Sequence, residues 1–138
     1  MRKILKDEYL EVVHPKITGL IGRKMPTSNW NPFIDISFRT IILGDHNYGL
    51  FDSKFREGMQ LVSNESNDLG FFWINLFELE NFQKFPETYF VEFEEIERLR
   101  YDRIFQFGNI HLSPNGKWAI VFYDDWGFLG MDNSHFKI

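Results

Sequence analysis

The clearest structural signal in the chain is the stretch IFQFGNIHL-SPNG-KWAIVFY, residues 104–123. The residues before SPNG alternate as a strand does, the residues after it form a second apolar run, and SPNG itself is made of residues that favour turns. The stretch therefore predicts a β-hairpin from Ile104–Leu112 to Lys117–Tyr123. Turn residues follow again at 124–127, and they predict a third strand over Phe128–Met131.

Two further strands are predicted upstream of the hairpin. Phe33–Leu43 places Asp35, Ser37 and Arg39 on one parity and apolar residues on the other, which is typical of a half-buried strand ending in a turn at 44–47. Phe71–Phe77 is apolar on both parities apart from one asparagine. It therefore predicts either a strand buried on both faces or the start of a buried helix.

Helical signals are shorter and weaker. Ile4–Val13 fits a strand or a short helix, and His14-Pro15 is expected to end it, because the residue before proline avoids the helical region. Apolar residues every three positions from Leu76 favour a helix stopped by Pro86. Glu92–Ile104 has an apolar stripe with charges elsewhere and predicts another helix.

Composition supports a sheet with few helices. The chain has 138 residues, of which 18% are aromatic, whereas alanine occurs once, as Ala119. Aromatic residues suit pleated surfaces and alanine suits helices. We therefore expect one globular domain over 1–138, of the α+β class, with an antiparallel β-sheet, one or two short helices and a C-terminal β-hairpin or meander.

Cysteine is absent, which excludes disulfides, thiolate metal ligands and cysteine nucleophiles. The first residues include arginine and lysine but no apolar run behind them, so they do not predict a signal peptide. The longest dense apolar stretch, 71–77, is too short to span a bilayer. The sequence therefore predicts a soluble protein of the cytoplasm that does not bind membranes.

Negative charge is concentrated in the second half of the chain. Residues 70–138 carry six Lys/Arg and eleven Asp/Glu, which accounts for the whole net charge of −5. Seven glutamates lie between Glu78 and Glu97, with Lys84 as the only base among them. This balance argues against nucleic-acid binding, which needs a basic surface. It fits either a basic protein partner or glutamates that solvate an aromatic core.

Candidates for catalysis are sparse. The chain lacks phosphate-binding, nucleophile-elbow, zinc-protease and dinucleotide motifs. Asp45-His46 in a turn, or Asp124 with Asp125 beside aromatic rings, would be the residues of a small hydrolase. His111 is expected to be outward-facing or half-buried. No catalytic residue, metal ligand or cofactor is predicted, and a small hydrolase is one of two alternatives to the binding protein described below.

The chain resembles bacterial immunity proteins of polymorphic toxin systems, including those of contact-dependent growth inhibition. The resemblance lies in its small size, acidity and lack of cysteine, and in the segment Gly108–Gly130, which is similar to the C-terminal hairpins of those proteins. It implies a cytoplasmic inhibitor, not an enzyme, that binds and neutralises the toxin domain at the C-terminus of a larger protein. Toxins that are nucleases are typically basic because they hold phosphate backbones.

An inhibitor of a basic toxin would use carboxylates for fast association and aromatic side chains as buried anchors. The alternative, a protein-binding adaptor domain, would dock through an aromatic face. The expected partner-binding residues are Glu92, Glu94, Glu95, Glu97, Tyr123, Asp124, Asp125 and Trp126.

Overall fold

A computed structural model describes residues 1–17, 38–45, 69–79, 85–95, 108–123 and 126–132. The first part of the strand expected over Phe33–Leu43, residues 33–37, lies outside these ranges. His46 and the C-terminal part of the helix expected from Leu76 lie outside them as well. The strand expected over Phe33–Leu43 is therefore described only from Phe38 onward.

Seven strands of the described residues form one sheet in which every neighbouring pair is antiparallel. The order across the sheet is β1-β4-β3-β5-β6-β7-β2. With the short helices described below, this arrangement confirms the α+β class. The strands are β1 (Arg2–Lys3), β2 (Phe38–Asp45), β3 (Gly70–Asn75), β4 (Thr88–Glu92), β5 (Asn109–Leu112), β6 (Trp118–Tyr123) and β7 (Trp126–Asp132).

The C-terminal meander is confirmed from Asn109 onward, whereas residues 104–107 of its first expected strand lie outside the described ranges. Trp126 and Gly127 were expected in a turn, but both belong to β7, and Trp126 pairs with Tyr123. Gly44 and Asp45 were also expected in a turn, yet they continue β2, with an irregular register between Ile42 and Gly44. In both cases ladder pairing, of β7 with β6 and of β2 with β7, extends a strand through residues that by themselves favour turns.

The N-terminal segment is helical and runs past the point where it was expected to end. It consists of α1 (Lys6–Glu8), a π-helical turn (Tyr9–Val13) and α2 (His14–Ile17). The His14 N–H donates to the carbonyl oxygen of Tyr9, five residues back. This wider turn precedes Pro15, whose ring in a regular α-helix would clash with the carbonyl four residues earlier. His14 and Pro15 therefore lie within the helical segment and do not end it.

Apolar side chains of this segment cover one face of the sheet. Tyr9, Val13 and Ile17 recur at steps of four and therefore lie on the same side of the helical segment. They form one buried cluster with alternate residues of the central strands. The sheet residues of this cluster are Phe72, Ile74, Ile110, Leu112, Ala119, Val121 and Phe128.

The opposite face carries aromatic and polar side chains. His111 lies there, fully buried, with its ring centroid 4.8 Å from that of Phe71 and 5.3 Å from that of Phe122. The expectation of an outward or half-buried histidine is therefore wrong. Its strand, β5, is in the middle of the sheet, and all four of its residues are buried.

Strand β3 settles the ambiguity of the 71–77 stretch. Gly70–Asn75 is a strand whose first five residues are buried, and the chain then turns into α3 (Leu76–Leu79). Asn75 makes this change possible, because its Oδ1 accepts a hydrogen bond from the Glu78 N–H at 3.1 Å. This is the usual contact of a helix N-cap.

The helix expected over Glu92–Ile104 is wrong at its start, and residues 96–104 lie outside the described ranges. Glu92 is the last residue of β4 and pairs with Gly70. Of the described residues of this stretch, Phe93–Glu95 is helical, as a single 3-10 turn. Pairing with β3 keeps the chain extended through Glu92, and the Phe93 N–H donates to the Leu69 carbonyl at 2.9 Å.

The SPNG turn is held by one buried hydroxyl. Ser113 Oγ accepts hydrogen bonds from the N–H groups of Lys117 at 2.9 Å and Trp118 at 3.0 Å, and donates to Asn115 Oδ1. Gly116 supplies the left-handed conformation, with φ of 73°. The turn residues identified in the sequence therefore form a closed loop between β5 and β6.

Replacing Gly70 with alanine should destabilise the protein severely. A Cβ at this position would lie 2.0 Å from the Val91 carbonyl oxygen, so β3 and β4 would have to separate. We expect a loss of about 3 kcal/mol in the free energy of unfolding, measured by urea denaturation. Gly116→Ala is the control: a Cβ there would meet only the Lys16 side chain, and the strained φ should cost about 1–2 kcal/mol. Equal losses in the two variants would contradict this account.

Ser113→Ala should cost about 2 kcal/mol in the same assay, because the buried Trp118 N–H and the Lys117 N–H both lose their hydroxyl acceptor. Asn115→Ala removes an exposed side chain from the same turn and should cost less than about 1 kcal/mol. A larger loss for Asn115→Ala than for Ser113→Ala would show that the hydroxyl does not hold the turn.

Candidate acidic surface at the end of strand β4

Three of the expected partner-binding glutamates lie together where β4 passes into the 3-10 turn. Glu92 ends the strand, and Glu94 and Glu95 follow in the turn. In a helix, Glu92 and Glu94 would point away from each other. In the actual backbone Glu94 raises the pKa of the Glu92 carboxyl group, through a hydrogen bond and its negative charge. Because a helix was expected here, the sequence did not predict this interaction between Glu92 and Glu94.

Glu95 has a structural task in this cluster. Its Oε2 accepts a hydrogen bond from the Glu92 N–H at 2.8 Å, and its Oε1 forms an ion pair with the Met1 ammonium group. Its side chain is only 13% exposed. Glu95 thus fixes the turn and the first residue of the chain to the end of β4, and both of its oxygens are engaged.

Glu92 and Glu94 form an exposed pair of carboxyl groups. The hydrogen bond to Glu94 raises the pKa of Glu92, and the negative charges of Glu94 and Glu95 raise it further, whereas the Met1 ammonium lowers it. Arg2, on the adjacent strand β1, forms its ion pair with Glu8, at 2.8 Å. The pair therefore carries repulsion between carboxylates at neutral pH.

The residue just before β3 is apolar and exposed, and its backbone is joined to this turn. Leu69 is 74% exposed, and its carbonyl is hydrogen-bonded to the N–H of Phe93, which stands between the two glutamates in sequence. Sequence reasoning missed Leu69, because a single leucine after a polar stretch carries no distinguishing pattern. We call Leu69, Glu92 and Glu94 the acidic surface.

The remaining expected anchors, Tyr123 and Trp126, lie at the other end of the sheet. The registers place Glu92 level with Gly70 at one end, whereas Tyr123 pairs with Trp126 at the opposite end, three strands away. Strand spacings place Tyr123 about 20 Å from Glu92 along the strands and about 14 Å across them, and Trp126 lies one strand further away. The sequence-based grouping of these residues therefore spans two distant regions.

Two other glutamates of the acidic run belong to the end where β4 begins. Glu87 Oε1 accepts a hydrogen bond from the Tyr89 hydroxyl at 2.6 Å, which raises the pKa of that phenol. Glu78 Oε2 accepts the Glu87 N–H at 3.0 Å. The Glu78 carboxylate therefore joins α3 to the residue before β4, whereas the Glu87 carboxylate is bound by a tyrosine of β4 itself. The run of glutamates is thus divided by the register of β4 into two groups with different tasks.

Several predicted residues lie outside the described part of the chain: Glu97, Asp124, Asp125 and His46. Among the described residues, no group of three or more His, Asp or Glu side chains is arranged to hold a metal ion. No helix in the described ranges has the length and apolar character needed to cross a membrane. No protein-family model, curated protein or solved structure matches the chain.

Glu92→Gln should stabilise the protein at neutral pH. Because the folded state raises the pKa of Glu92, it binds that proton more tightly than the unfolded state does, and wild-type stability falls as pH rises through the interval above the ordinary value of 4.5. The variant lacks this loss. We expect its advantage in Tm to be greatest near neutral pH and to vanish as pH falls below that value. A pH-independent difference would contradict the repulsion between Glu92 and Glu94.

Glu95→Gln should have the opposite sign. The neutral amide keeps an acceptor for the Glu92 N–H but loses the ion pair with Met1, so we expect a lower Tm at neutral pH. Thermal unfolding of the two single variants, side by side, checks this. Stabilisation by Glu95→Gln would mean that Glu95 belongs with the repelling pair and not with the structural contacts.

Proposed function

We propose that this chain is an immunity protein of the bacterial cytoplasm that binds and neutralises a basic toxin domain through the acidic surface. It acts by binding and not by catalysis. The observation that carries the proposal is the exposed pair of Glu92 and Glu94: in the described part of the chain, the neighbouring Arg2 is paired with Glu8 and does not relieve their repulsion. A lysine or arginine of a partner would relieve it on binding.

The acidic surface combines the two features that such a complex needs. Exposed carboxylates attract a basic partner and raise the association rate, an effect that salt screens. Leu69 offers an apolar side chain that contact with a partner would remove from water. The anchors at Tyr123 and Trp126 would belong to a separate contact, because they lie at the opposite end of the sheet.

The first experiment compares three tagged proteins as baits in lysate of the native host: wild type, the double variant Glu92→Gln/Glu94→Gln, and the control Asp7→Asn/Glu11→Gln. The control removes the same charge from exposed positions of the N-terminal helical segment. We expect wild type and control to retain one basic protein, identified by mass spectrometry, and the double variant to retain much less.

The captured protein is then purified, and its affinity for the three baits is measured at low and high salt. Two exposed ion pairs predict about a tenfold weaker Kd for the double variant at low salt, and a smaller dependence on salt. Equal affinity and equal salt dependence for all three baits would exclude the acidic surface as the binding site.

Neutralisation is tested in growing bacteria. Expression of the captured protein alone should arrest growth, and co-expression of the wild-type chain should restore it more fully than co-expression of the double variant. A partner that binds through the acidic surface without arresting growth would instead favour the adaptor alternative.

A further inference from the structure

We draw no further inference here: the strongest candidate, the exposed acidic cluster of Glu92 and Glu94 where β4 passes into its 3-10 turn, belongs to the surface already proposed as the docking site, and no second observation in the described part of the chain identifies a ligand for it.

Discussion

The pairing of β3 with β4 is the constraint on which the described structure depends. Gly70 lies against the Val91 backbone so closely that a single additional carbon would collide with it. Through this contact β3 fixes the register of β4, and through its other edge it fixes β5. Because side chains alternate across a strand, the register also decides which residues face the N-terminal helical segment and which face away.

The same register places the charges. Glu87 lies just before β4, and Glu92 is the last residue of the strand. A shift of the β4 register by one residue would move every side chain of the strand to the other face of the sheet. In the observed register Glu87 is occupied with the Tyr89 hydroxyl, whereas Glu92 meets Glu94 at the opposite end of the strand. The distinction between structural and available carboxylates thus depends on where β4 begins and ends, which its pairing with β3 decides.

Much of the sheet could be predicted from the sequence, because alternation and turn residues act locally. SPNG and its flanking strands are the best example. Ser113 accepts the hydrogen bonds of this turn and Gly116 adopts its left-handed conformation, so residues of the hairpin itself stabilise it. The errors have non-local causes. Glu92 has a helical neighbourhood in sequence but is held extended by Gly70, and His111 is buried because its strand is central. The interaction of Glu92 with Glu94 could not be predicted from the sequence either, because it depends on where β4 ends.

The most direct test of this account is the titration of the Glu92 side-chain carboxyl, followed by carbon-13 NMR in the wild type and in Glu94→Gln. We expect the pKa of Glu92 to lie above its ordinary value of 4.5 in the wild type and to move back toward that value in the variant, because its hydrogen-bonded and negatively charged neighbour is gone. An identical titration in both proteins would show that the two carboxyl groups do not interact, and the proposed docking surface would lose its main support.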